Sequence, residues 1–96
     1  MNIRFEWDQG KNLKNQRKHG LSFEEAIQVF RDPLVITTQD RVENGEYRWQ
    51  AVGLAHNTTI MIAYTVWEED DDEVIRPISA RKATPRERRR YEQENR

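Results

Sequence analysis

From Leu34 to Ala80 the chain reads as strand after strand with little between them, and this limits the possible folds more than any other feature. Leu34 to Thr38 is β-branched and apolar, and Asn44-Gly45 marks a turn. Tyr47 to Ala55 and Thr59 to Trp67 form two longer strands joined by His56-Asn57-Thr58. The acidic run Glu68 to Glu73 makes the next turn, and Val74 to Ala80 is the last strand. Consecutive strands with connections this short predict an antiparallel meander.

Helical patterns flank the meander. Ile3, Phe5 and Trp7 alternate with Asn2, Arg4 and Glu6, as in a short half-buried strand. Asp8 then caps a polar helix that runs to about Lys18 and ends through His19 and Gly20, with Leu13 as its one clear anchor. A second helix starts from a capping box, Ser22 with Glu25, and carries one apolar stripe: Phe23, Ala26, Ile27, Phe30. Asp32-Pro33 stops it. Thr84, Pro85 and Glu87 open a C-terminal helix with a second capping box. The predicted fold is α+β in one domain, residues 1–96: an N-terminal strand and two helices, a twisted antiparallel sheet of three or four strands, and a C-terminal helix. A chain of this length holds one modest core. Apolar content is 35%, so the three Trp, three Tyr and three Phe must supply much of the buried area.

A net charge of −1 conceals an uneven distribution. The segment Arg76 to Tyr91 carries seven basic residues against one acid, Glu87. Without the six acids Glu68 to Glu73 the remainder sums to +5, from 16 basic and 11 acidic residues. Such asymmetry points to an anionic partner, although charge runs are also ordinary solvated turns and faces. The strand-to-helix turn at Arg81, Lys82 and Thr84 adds a helix N-terminus, which favours anions. The chain has no phosphate-cradling glycine loop, so the phosphate of a nucleic acid is the leading ligand. With no cysteine, disulfides and thiolate metal sites are excluded. Met1 to Gly10 holds Arg4, Glu6 and Asp8 and no apolar run, and Ile60 to Trp67 is too short to span a bilayer. The expectation is a soluble cytoplasmic protein with no membrane partner.

Several residues are candidates for chemistry. Arg48 lies mid-strand between Tyr47 and Trp49, and alternation sends it to the face opposite those aromatics. It is either a solvated outward residue or one lining a binding concavity. Arg76 holds an equivalent place in the last strand. Together with Arg81 and Lys82 these four cations can converge on one sheet surface and clamp a phosphate. His19 and His56 are the residues that ordinarily titrate near neutrality, yet a helix end and a hairpin turn explain them as well. Tyr91 either packs the last helix or offers a phenol to a base or a proton. Pairing of Arg88 with Glu92 and of Arg90 with Glu94 would leave Arg86, Arg89 and Gln93 as the less compensated row. The acidic run lacks the ligand spacing and turn glycine of a calcium loop, so no metal and no cofactor are implied.

Three blocks, FEWDQGKNLKNQRKHGLSFEEA, the pair Glu46 and Arg48 followed by Gly53, and ISARKATPRERRRYE, resemble the BrnT toxin family over nearly the whole chain. The resemblance implies a RelE-like fold and a metal-independent endoribonuclease that inhibits translation. It also implies a BrnA-like antitoxin whose ribbon-helix-helix part contacts DNA, so that the toxin meets DNA only through its partner. The matching positions are Lys11, Asn15, Lys18, His19, Arg48, Ser79, Arg81, Lys82, Glu87, Arg88 and Tyr91. Arg48, Arg81 and Lys82 are the expected phosphate and transition-state contacts, and His19, Lys82, Glu87 or Tyr91 the expected proton carriers. Lys11, Lys18, Arg76, Arg86 and Arg89 are the expected RNA contacts. A module that holds RNA or DNA without cutting it, or that only receives an acidic antitoxin segment, is the alternative.

Overall fold

A computed structural model describes residues 2–95. The elements run β1 (Ile3–Phe5), α1 (Gln9–His19), α2 (Phe23–Ala26), a 3-10 helix (Ile27–Arg31), β2 (Ile36–Glu43), β3 (Glu46–Ala55), β4 (Thr58–Glu69), β5 (Asp72–Lys82) and α3 (Pro85–Glu94). The strands form one sheet in the order β1-β5-β4-β3-β2. The meander from β2 to β5 is antiparallel, as expected.

The sheet has five strands, not three or four, and is mixed. β1 joins it parallel to β5, with Phe5 opposite Ile75. That pairing joins the two ends of the chain, which no local pattern announces. β2 begins at Ile36 and runs past Thr38 through Gln39 to Glu43. Its second half is polar because it is an outer strand, where charged residues and a bulge at Asp40 are tolerated. The acidic run is mostly strand: only Asp70 and Asp71 form the turn, with φ of 52° and 67°. Asn44-Gly45 and His56-Asn57 are also positive-φ pairs, so all three hairpins close through two residues of the kind that tolerates a left-handed backbone.

The core lies between one sheet face and the α2 region. Phe23, Ala26 and Val29 pack on Ala51, Ile60, Ile62, Tyr64, Ile75 and Ala80. Burying Phe23, Val29 and Ile62 completely contributes about 1.5–3 kcal/mol apiece. Val29 joins Phe23 and Ala26 in the core, while Ile27 and Phe30 of the expected stripe pack against it half-buried. The chain tightens to three residues per turn after Ala26, which brings Val29 beneath it.

In α1 the expected anchor fails: Leu13 is 45% exposed. The helix is held by two buried asparagines. Asn12 Oδ1 accepts from Phe23 N at 2.7 Å and its amide donates to Glu24 at 2.6 Å. Asn15 donates to Ala80 O at 2.9 Å and to Leu21 O at 2.8 Å, and accepts from Ala80 N at 3.0 Å. One side chain thus replaces a strand partner on the edge of β5 beyond the end of β1.

Among the described residues, the opposite sheet face carries only α3, whose capping box of Thr84 and Glu87 is formed as expected. Arg90 Nη2 reaches Thr38 Oγ1 in β2 at 3.0 Å, and Asn95 reaches Leu34 O at 3.1 Å. Of the two expected helix ion pairs, Arg90 with Glu94 is present at 3.2 Å.

Candidate functional site

Strand register decides which side chains share the open face. Arg48 of β3 lies opposite Thr65 of β4, and Thr65 lies opposite Arg76 of β5. Arg41 of β2 extends the same rung. Along β5 the pairing slips between Ala63–Ser79 and Tyr64–Pro77, so Ile78 is an extra residue. Arg76 and Arg81 are five positions apart and would face opposite ways in a regular strand. The bulge restores them to one face, with Arg81 opposite Met61. Lys82 is consequently on the other face, opposite Ile60 of the core.

On the open face the rung of Arg41, Arg48 and Arg76 lies on one side, and Arg81 with α3 on the other. Between them lie Thr38, Gln50, Ala63 and Ser79, small or polar residues of a single rung. From Thr65 to Met61 is four residues, about 13 Å.

Three of the cations on this face, Arg41, Arg48 and Arg81, are paired with acids. Arg48 is 24% exposed in its side chain, and its Nε is 3.4 Å from Glu43 Oε2, an oxygen that also takes Arg41 at 3.0 Å. Arg81 makes a two-pronged pair with Glu87, at 2.8 and 3.1 Å. Burial pushes the Glu87 carboxyl up, but the Arg81 guanidinium and the Thr84 backbone and hydroxyl outweigh it, and the carboxyl titrates below its ordinary value. Thr65, 4% exposed, has a buried hydroxyl with no hydrogen-bond partner, midway between Arg48 and Arg76.

Tyr91 is buried, and its hydroxyl donates to Asp32 Oδ2 at 2.5 Å. Burial, then that bond and the charge of Asp32, raise the phenol to about 12. The same Asp32 oxygen accepts from Leu54 N at 2.8 Å and would crowd any side chain at Gly53. Tyr91, Asp32 and Gly53 thus form the joint by which α3 is fixed to the edge of β3.

The remaining predicted residues fall elsewhere. Lys82 lines a cleft of ≈ 170 Å³ with His19, Glu25 and His56, on the helix-covered side. Lys11, Lys18 and His19 line a second cleft, ≈ 270 Å³, with Lys14 and the bulge residues Ile78 and Ser79. Arg86 and Arg89 line a third, ≈ 490 Å³, on α3 with Glu87, Arg90 and Gln93. The four cations expected on one surface are therefore three, Arg48, Arg76 and Arg81, without Lys82. Sequence reasoning missed Arg41, Thr65 and Trp67, which only cross-strand pairing brings to that face.

A family model described as the ribonuclease toxin, BrnT, of a type II toxin–antitoxin system matches residues 7–87. The chain belongs to the BrnT toxin family. The match takes in the arginine rung, the β5 bulge and the Arg81–Glu87 pair, and stops before Tyr91. As a family, BrnT proteins are ribonuclease toxins, and a type II system supplies a protein antitoxin as partner and RNA as substrate. No curated protein matches the chain. Among the described residues, no helix of this BrnT protein is long and apolar enough to cross a membrane.

Proposed function

We propose that the open sheet face holds RNA and cuts it, with no metal, by attack of a 2′-hydroxyl on the neighbouring phosphate. The observation that carries this reading is the placement of Arg48, Arg76 and Arg81 on one face of the sheet. Arg48 and Arg76 take the phosphate from the rung, on either side of Thr65. Arg81 faces the charge that develops as the 2′-oxygen bonds to phosphorus. Glu87 positions Arg81 and is the one candidate base in contact with it. Its Oε2 accepts only from Arg81, at 3.1 Å, and so retains a lone pair for the 2′-hydroxyl proton. The bond from phosphorus to the 5′-oxygen breaks, the leaving oxygen takes a proton from water, and the products carry a 2′,3′-cyclic phosphate and a 5′-hydroxyl. Positioned donors of this kind typically contribute about 100-fold or more each. The proposed inhibitor is a BrnA-like ribbon-helix-helix antitoxin that covers this face.

The test is incubation of the purified chain with labelled single-stranded RNA, with and without EDTA. Cleavage in both conditions, leaving cyclic phosphate ends, is the expected result. Binding without cleavage would make the protein a non-catalytic module. Loss of cleavage in EDTA, restored by Mg²⁺ or Mn²⁺, would overturn the metal-free mechanism.

A further inference from the structure

Arg76 belongs to two surroundings at once. Its guanidinium carbon lies over the Trp67 ring, 4.9 Å from the centroid. It also lines a cleft of ≈ 660 Å³ with Phe5, Glu6, Trp7, Asp8, Lys11 and Pro77. The indole beneath it is held in turn. Trp67 Nε1 donates to Glu69 Oε2 at 3.2 Å, and Arg4 Nη2 lies 3.4 Å from Glu69 Oε1. Arg4 and the acidic hairpin thus brace the stack from below, while Arg76 itself is exposed.

The cleft has mixed charge. Lys11 and Arg76 favour an anion, whereas Glu6 and Asp8 oppose one. A nucleotide satisfies both sets. Its base offers a π-face to a planar guanidinium, and an amino group to a carboxylate. Uracil fits poorly, because its N3–H lies between two carbonyl oxygens that a carboxylate repels. A volume of this size lies within the range of small-ligand sites.

We infer that Arg76, backed by Trp67, is a nucleobase platform that favours adenine, cytosine or guanine over uracil at one position beside the cleaved phosphate. The inference rests on the open face being an RNA site. It gives Arg76 a role in sequence choice in addition to its contact with phosphate.

The probes are labelled oligodeoxyuridine strands carrying one guest nucleotide: adenine, cytosine, guanine or an abasic sugar. Lacking 2′-hydroxyls, they bind without being cut by the proposed route. The native chain should bind the three amino-bearing guests about tenfold tighter than the abasic or all-uracil strand. Arg76→Lys, which keeps the charge and loses the plane, should abolish that preference and leave the salt dependence of binding. Glu6→Gln, whose amide can face a carbonyl, should narrow the gap to uracil. Equal affinity for every guest in the native chain, or an undiminished preference in Arg76→Lys with a native circular dichroism spectrum, overturns the platform. Cleavage of the matching ribo-oligonucleotides is scored separately. Cutting with no base preference overturns the platform and keeps the ribonuclease reading. Base preference without cutting does the reverse, and absence of both binding and cutting overturns both.

Discussion

Glu87 serves the helix and the open face with the same two oxygens. Oε1 accepts Thr84 N at 2.9 Å to close the capping box, and both oxygens hold Arg81. Its depressed carboxyl gives a pH signature. If Glu87 takes the 2′-hydroxyl proton, the rate should stay flat as pH falls toward 5 and decline only below the ordinary value of 4.5. The same depression makes the pair a stabilising contact above the ordinary carboxylate range, and that contribution is lost as pH falls through the lowered value. Folding must therefore be followed by circular dichroism at each pH. An acid limb at the ordinary histidine midpoint, about pH 6.5, would instead move the proton step to the His19 side of the sheet. Glu87→Gln should lower the rate roughly 100-fold or more.

At the scale of elements, asparagine and aspartate side chains finish what backbone pairing leaves open. Asn15 closes the β5 edge at Ala80, and Asp32 closes the β3 edge at Leu54 beyond the end of β2. Asn15→Ala should lower stability by about 2–4 kcal/mol, since it strands a buried donor and acceptor together. Asn15→Asp should also destabilise, because a carboxylate cannot donate to the Ala80 and Leu21 carbonyls. Denaturant midpoints measure both, and a change under about 0.5 kcal/mol would remove Asn15 from the architecture. These devices mark where the sequence was hard to read. Helix caps, hairpin turns and the antiparallel order of β2 to β5 were legible, because each rests on residues close in sequence. The parallel return of β1, the polar half of β2 and the burial of Asn12 and Asn15 in place of Leu13 depend on distant partners. The candidate site was legible as a list of cations but not as a face. Ile78 decides that Arg81 joins Arg76 while Lys82 does not, and nothing in ISARK signals a bulge.

Over the whole molecule, the acids gather at one end of the strands. The β2–β3 and β4–β5 hairpin ends hold Glu43, Glu46 and the acidic run, and the other end holds Arg81, Lys82 and the start of α3. An antitoxin segment that is acidic and apolar should therefore approach the α3 end of the open face. Its association rate should fall as salt rises, as complementary charge predicts. It should also compete with RNA for the arginines of the proposed site. Titrating the antitoxin against RNA bound to an inactive variant checks this. Simultaneous binding without mutual weakening would place inhibition on another surface.

Adjacent chain positions on opposite faces of the sheet show which face carries the chemistry. Single-turnover RNA cleavage should be measured for Arg48→Ala, Arg81→Ala and Lys82→Ala, each checked for native circular dichroism. Chemistry on the open face predicts a loss of about 100-fold for Arg48→Ala and Arg81→Ala. It predicts a rate within about threefold of native for Lys82→Ala, which sits among the core-side residues with His19 and His56. A large loss in Lys82→Ala with near-native rates in the two arginine variants would contradict it and move the active site to the helix-covered side.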